Sequence, residues 1–184
     1  MLFQAAPLWL RPILAVAVLT GMRRSAILGL KWLDVDAANA RLTLPQTKNG
    51  DGRIVYLNRA ALSALAAVPR SPRTKLTVRI FHGITRDQVG VAFGRLCRQQ
   101  NIADFRFHDL RHTAASWLRM RGADIHTVAQ RLGHKDLRMA ARYQHLSPAF
   151  MADAVATLDG VFGDTCYPVV TESKLLTKGI AAND

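Results

Sequence analysis

Four side chains suited to phosphate chemistry follow one another in the second half of the sequence: His108, Arg111, His134 and Tyr143. The first two are three residues apart, so they share a face if this part of the chain is helical. His134 comes directly after Gly133, a residue type that commonly ends a helix. A guanidinium can hold two phosphate oxygens, an imidazole can accept or donate a proton, and a phenol can act as a nucleophile. Such a set can carry out the attack of a protein hydroxyl on a phosphodiester.

The charge of the chain favours a polyanionic partner. Its 184 residues include 25 Lys and Arg against 13 Asp and Glu, which gives a net charge of +12. Such an excess is typical of proteins that bind nucleic acid or an acidic membrane surface, although a basic surface can also serve solubility alone. Between Arg95 and His145 there are ten Lys or Arg and four Asp, together with five of the six histidines. The positive charge is therefore concentrated where the chemistry is expected.

The order His-x-x-Arg, then Leu-Gly-His, then Tyr resembles the C-terminal half of the catalytic domain of a tyrosine recombinase (phage integrase family). Two earlier segments strengthen this resemblance. The sequence TGMRRS at 20–25 is similar to the family's segment with the first catalytic arginine, which by position is Arg23. The sequence QTKNG at 46–50 is similar to the family's β-hairpin, whose lysine, here Lys48, serves as general acid. The resemblance covers roughly Thr20 to His145.

The resemblance implies a site-specific DNA recombinase that cleaves and rejoins DNA strands through a 3′-phosphotyrosine intermediate. Tyr143 would be the nucleophile, because cations nearby can favour the oxyanion of a phenol whose ordinary pKa is about 10. Arg23 and Arg111 would bind the non-bridging phosphate oxygens. His108 would take or hold a proton, and His134 would donate to a phosphate oxygen. Lys48 would protonate the departing 5′ oxygen, so that the first step needs no metal and no other cofactor.

The resemblance also implies partners and a location. Double-stranded DNA would be the substrate, bound by a synaptic homo-oligomer (a tetramer) in the cytoplasm of a bacterium, on the nucleoid. A separate core-binding domain would be needed, because nothing before Thr20 could supply one. We expect a catalytic domain over residues 1–160 and a C-terminal tail over 161–184 that can dock onto a neighbouring protomer. Basic residues around the site are expected to contact the DNA backbone without reading its sequence: Arg24, Arg131, Lys135, Arg138 and Arg142.

One position departs from the family pattern. Members commonly carry an acidic residue three positions after the first arginine, where this chain has Ala26. That carboxylate would help to orient Arg23. Its replacement removes none of the groups that would touch the phosphate.

The residue pattern predicts a mainly α domain with a small antiparallel β-sheet. Arg11-Pro12 interrupts the apolar run near the start, so we expect no membrane segment there but a buried helix over Ile13–Leu19. Strands are predicted at Arg41–Leu44 and Arg53–Leu57, around a tip that contains Lys48. A further short strand is expected at Ile80–Phe81. Other helices are predicted at Ser25–Leu30 with Ser25 as N-cap, Asn58–Val68, Thr85–Arg98, Asp109–Met120 with Trp117 in the core, Asp124–Leu132, Asp136–Tyr143 and Ser147–Leu158.

Other functions remain open at the level of sequence. His108 and His112 are spaced like the two histidines of a zinc peptidase, but the shorter Asp109 stands where such an enzyme needs Glu. His112 is therefore expected to be a structural neighbour or a weak DNA contact. A DNA-binding module of the same fold that no longer cleaves would share the basic surface, and Ala26 is consistent with it. A topoisomerase would use the same chemistry without strand exchange.

Overall fold

Helix α2 (Arg11–Thr20) lies at the centre of the hydrophobic core. Its side chains at Ile13, Leu14 and Val16 are fully buried, and the helix packs against α4 and α6. Pro12 lies in the first turn, where its missing N–H costs no hydrogen bond. The buried helix predicted in this part of the chain is confirmed. No helix among the residues described below is both long enough and apolar enough to cross a bilayer.

The computed structural model describes residues 2–44, 52–133 and 138–143, all within one compact unit, Met1–Leu146. The boundary predicted at residue 160 and the tail lie outside these residues, so that division stays a prediction. The fold is mainly helical with a small sheet, as predicted. Besides α2, the elements are α1 (Leu2–Ala5), α3 (Arg24–Gly29), a 3₁₀ turn (Trp32–Asp34), β1 (Val35–Asp36), β2 (Arg41–Leu44), β3 (Arg53–Tyr56), α4 (Arg59–Ala66), α5 (Arg86–Gln99), α6 (Asp109–Met120), α7 (Ile125–Leu132) and α8 (Arg138–Ala141).

The sheet has three antiparallel strands in the order β1-β2-β3. Leu42 and Val55 face each other across β2 and β3, and both are buried, so this pair joins the sheet to the core. The two predicted strands are confirmed. Strand β1 was not predicted, because two residues are too few to show an alternating pattern. The hairpin tip with Lys48 lies outside the described residues.

Polar caps and glycines set several of the helix ends. Asn58 and Asp124 each accept a hydrogen bond from a backbone N–H three residues later, which fixes the first turns of α4 and α7. Gly21 and Gly133 follow α2 and α7 with φ of +67° each, a left-handed conformation that favours glycine. On α5, the inward face consists of Val89, Phe93, Leu96 and Cys97, which are all buried.

Two local predictions were wrong. Helix α3 begins at Arg24 and has Arg23 in the cap position, so Ser25 lies inside the first turn and caps nothing. Ile80 and Phe81 form a buried turn, not a strand. The strand-like bridge pairs Arg79 with Lys31.

Trp117 is 50 % exposed and does not belong to the core, which corrects a further prediction. The inward face of α6 is rotated toward Arg111, Ala115 and Arg119, all of them buried. A pattern that counts only apolar residues as buried misses this rotation, because two of the inward residues are arginines.

Gly21→Ala tests the packing between the ends of α2 and α7. An added Cβ would lie 2.5 Å from Leu132 Cδ2, and the backbone at position 21 is left-handed. We expect a loss of about 1–3 kcal/mol in the free energy of unfolding, measured by urea denaturation. Gly29→Ala is the matched control, because an added Cβ there meets nothing within 4 Å. Equal effects of the two substitutions would contradict this packing.

Candidate active site

The guanidinium of Arg111 joins the ends of two helices at the candidate site. Arg111 is 5 % exposed, and it donates hydrogen bonds to the carbonyl oxygens of Gly21 at 2.6 Å and Leu132 at 2.7 Å. Both carbonyls lie at helix C-termini, where they lack partners inside the helix and carry partial negative charge. The bonds use two of the five N–H donors of the guanidinium. Arg111 therefore connects the segments that carry the predicted Arg23 and His134.

Three arginines come together here without a carboxylate. Burial, and after it the charges of Arg23 and Arg53, lower the pKa of Arg111 to about 10. Burial and the charge of Arg23 also lower the pKa of Arg53. Among the described residues, no carboxylate lies within ion-pair distance of any of the three. A bound anion such as a phosphate would relieve this repulsion.

Arg53 was not predicted as a site residue. It begins β3, directly after the hairpin tip, and its guanidinium lies against Gly133. A Cβ at position 133 would lie 1.7 Å from Arg53 Nη1, so this approach requires glycine. Nothing in the local sequence distinguishes Arg53 from a solvated strand residue, because the contact joins segments far apart in the chain.

Arg23 is exposed at the N-terminal cap position of α3. Together with Arg24 and His108 it lines a cleft of about 480 Å³ whose rim also contains Arg86 and Arg106. Arg24 Nη1 lies 2.9 Å from the position of an added Cβ at Gly90, so the glycine allows the guanidinium to lie against α5. A larger apolar cavity of about 920 Å³ contains none of the predicted site residues.

Tyr143 is buried, with 6 % of its surface exposed. Its phenol oxygen is hydrogen-bonded to Nδ1 of His112, and its carbonyl oxygen accepts a hydrogen bond from Nε of Arg119 at 3.4 Å. Burial raises the pKa of Tyr143, while the charges of Arg142 and Arg111 oppose that rise. The phenol is therefore neutral at pH 7 in this arrangement.

His108 lies at the start of α6, with its ring centroid 5.3 Å from that of His112. Burial lowers the pKa of His108, and the nearby His112 and Arg111 act in the same direction, whereas Asp109 opposes them. His108 is thus neutral at pH 7 and can accept a proton. It does not contact the phenol directly; His112 does. The sequence predicts His112 as a structural neighbour or a weak DNA contact, and its i, i+4 spacing from His108 does not by itself reveal the contact with Tyr143.

Six further residues were predicted to belong to the site or to contact DNA. Arg131 donates a hydrogen bond to the carbonyl oxygen of Leu19 at 2.9 Å, so part of its guanidinium is occupied at the end of α2. Arg138 and Arg142 have exposed side chains on and after α8. Lys48, His134 and Lys135 lie outside the described residues, and their roles stay predictions. Within the described part of the chain, no group of three or more His, Cys, Asp or Glu is arranged to hold a metal ion.

Comparison with known proteins gives consistent matches. A sequence model described as the phage integrase family matches residues 2–149. The integrase of Salmonella phage P22 is 29 % identical over 90 % of this chain and 46 % of its own length. A shufflon-specific DNA recombinase of Escherichia coli is 34 % identical over 78 % of this chain and 36 % of its own length. The chain thus spans less than half of these relatives.

Solved structures show the same fold. A crystal structure of XerA recombinase superimposes with a TM-score of 0.66 and 23 % identity, over 86 % of this chain and 60 % of that one. A XerH site-specific recombinase bound to its difH substrate in a pre-cleavage complex gives a TM-score of 0.61 and 24 % identity, over 82 % of this chain and 46 % of that one.

Arg53→Gln tests the anion site. Because sulfate can bind the three guanidiniums only in the folded state, it should raise the free energy of unfolding of the unmodified protein by about 1 kcal/mol or more, relative to chloride at equal ionic strength. The variant should lose most of this gain. Arg59→Gln, an exposed residue of α4, is the control and should keep it. An equal gain in both variants would show that sulfate binds elsewhere.

Proposed function

Because the chain belongs to the phage integrase family, we propose that it is a site-specific DNA recombinase that cleaves and rejoins DNA strands through a 3′-phosphotyrosine intermediate. The observation that carries this proposal is the meeting of a buried phenol with three arginines that have no carboxylate partner among the described residues. The relatives named integrase and DNA recombinase support the reaction class.

The arginines are the groups that bind the scissile phosphate. The remaining donors of Arg111 can hold one non-bridging oxygen, and the exposed Arg23 can hold the other. Arg53 adds a third positive charge from β3. Charge builds up on these oxygens in the transition state, so cations fixed in advance stabilise it more than the ground state.

Tyr143 is the nucleophile in this proposal. Its phenol must lose a proton while its oxygen attacks phosphorus, and the P–O5′ bond then breaks. The departing 5′ oxygen takes a proton from Lys48. His134 donates to a non-bridging oxygen, and the neutral His108 accepts or holds a proton beside the phosphate. The phosphotyrosine link keeps the energy of the broken bond, so rejoining needs no external energy source and no metal.

The partners follow from the same proposal. Double-stranded DNA is the substrate, and the XerH complex with its DNA substrate supports this assignment. The net charge of +12 favours it as well. Recombination between two sites requires a synaptic assembly, which we propose to be a homotetramer. It also requires a core-binding domain that contacts the DNA together with the catalytic domain. Residues 161–184 would dock onto a neighbouring protomer. The proposed location is the bacterial cytoplasm, on the nucleoid.

The contacts with flanking DNA are proposed for Arg24, Arg138 and Arg142, which contribute charge around the site. Lys135 is assigned the same role from the sequence. Arg131 would contribute through the N–H donors that are not used in its hydrogen bond to the carbonyl oxygen of Leu19. At position 26, a half-buried alanine packs against the core where a carboxylate is common. Hence Arg23 is oriented without that partner. Because of this departure at Ala26, a non-cleaving DNA-binding module is the second candidate function.

Tyr143→Phe tests the nucleophile. The unmodified protein, mixed with sheared genomic DNA from its source and quenched in detergent, should yield a nucleotide adduct on the Tyr143 peptide, detected by mass spectrometry. The variant should yield none, because the attacking oxygen is gone, and should bind DNA with nearly unchanged, salt-sensitive affinity.

Tyr56→Phe is the matched control, since Tyr56 is an exposed phenol on β3 and should not affect the adduct. Salt-dependent binding without an adduct, also after addition of a separate core-binding domain, would favour the non-cleaving module over the recombinase.

A further inference from the structure

We propose that His112 accepts the phenol proton of Tyr143 when the DNA strand is cleaved. This inference rests on the function proposed above and adds to it a residue that touches the reacting oxygen. The resemblance pointed to His108 for proton transfer, whereas the contact with the phenol is made by the next histidine on the same face of α6.

Helix α6 forms hydrogen bonds with both the side chain and the main chain of Tyr143. Nδ1 of His112 bonds to the phenol oxygen, and Nε of Arg119 donates to the carbonyl oxygen of Tyr143. His112 and Arg119 are seven residues apart, so they lie two turns from each other on one face of the helix. Arg119 is itself buried and also donates to the carbonyl oxygen of Ala123 at 2.5 Å. The phenol is therefore held against Nδ1 by contacts independent of DNA.

Burial of the phenol decides which partner donates in the hydrogen bond between Tyr143 and His112. Because burial keeps the phenol protonated, its O–H donates and the Nδ1 lone pair accepts. That leaves the imidazole proton on Nε2. Arg111 and Arg142 act on the phenol with their charges, His108 lies beside His112, and Arg119 donates to the carbonyl oxygen of Tyr143.

Cleavage transfers one proton from Tyr143 to His112. The phenol O–H bond breaks and the proton moves to Nδ1 of His112, which becomes an imidazolium. The Tyr143 oxygen forms a bond to phosphorus, the P–O5′ bond breaks, and the 5′ oxygen takes its proton from Lys48. In the rejoining step the imidazolium returns its proton to the departing phenolate, and Lys48 recovers its own.

Two variants separate proton acceptance from positioning. In His112→Asn, the amide oxygen can still accept a hydrogen bond near the position of Nδ1, but it cannot take a proton at neutral pH. In His112→Phe, an aromatic ring remains, but it can neither accept the hydrogen bond of the phenol nor take its proton. His126→Asn is the control, because His126 is an exposed histidine of α7.

The first measurement needs no DNA. A fluorotyrosine placed at position 143 should report protonation of the hydrogen-bonded His112 as a pH-dependent ¹⁹F shift change. That change should vanish in His112→Asn and His112→Phe. It should persist in His108→Asn and in the control. A shift that does not respond to pH, or that responds to His108 instead, would overturn the proposal even if the protein cleaves DNA.

The second measurement is the rate of adduct formation with sheared genomic DNA from the source. His112→Asn should lower this rate by about 10²–10⁴-fold, with unchanged DNA affinity, and should remove the acidic limb of its pH profile. A trifluorotyrosine at position 143, whose phenol is more acidic, should recover much of the rate in His112→Asn. It should not do so in Arg111→Ala, where the phosphate clamp is lost.

Failure of the proposed function and failure of proton acceptance by His112 would give different results. No adduct in the unmodified protein would contradict the proposed function, while the ¹⁹F response would still test the His112–Tyr143 contact. A normal rate in His112→Asn, or no rescue by the acidic phenol, would overturn proton acceptance. A faster rate in His112→Asn would identify the contact as a latch that withholds Tyr143, which also contradicts the proposal.

Discussion

The site depends on a buried arginine whose partners are main-chain carbonyls instead of a carboxylate. Arg111 crosses from α6 to the ends of α2 and α7 and donates to Gly21 and Leu132. A charge removed from water needs compensation, and the partial negative charge of two helix C-termini supplies part of it. Because no carboxylate in the described part of the chain pairs with the guanidinium, its charge remains available to an anion. One interaction thus joins the ends of two helices and fixes a positive charge between them.

The surrounding charges favour the binding of an anion. Burial, and after it the positive charges of the neighbouring arginines, lower the pKa of Arg111 and Arg53. Burial also raises the pKa of Tyr143 and lowers that of His108, so both side chains are neutral at pH 7, as the proposed cleavage would require. A phosphate between the arginines would favour the charged guanidiniums, and these in turn would stabilise the phenolate that forms during attack.

Much of this arrangement was predictable from local rules. Gly133 indicated the end of α7, and the alternation around Leu42 and Val55 indicated the hairpin. Each of these signals depends on a few adjacent residues. The motif spacing also predicted His108, Arg111 and Tyr143 as site residues, and the structure brings these three into one region through α6 and the segment after α8.

The features that the sequence did not predict share a physical cause, because they depend on contacts between distant segments. Arg53 became a site residue only through its approach to Gly133, and His112 only through its bond to Tyr143. Trp117 was placed in the core because buried arginines were not expected on the same helix. Their burial depends on carbonyl partners that the three-dimensional fold provides and that no local pattern shows.

The most direct test of the central role of Arg111 is the charge-conserving substitution Arg111→Lys. A lysine keeps the positive charge but cannot span both carbonyls with a planar fork. The unfolding free energy, measured by urea denaturation, should fall by about 1–3 kcal/mol, and the adduct on Tyr143 should form at least tenfold more slowly. A lysine variant with unchanged stability and unchanged adduct formation would show that charge alone is sufficient, and would contradict the account.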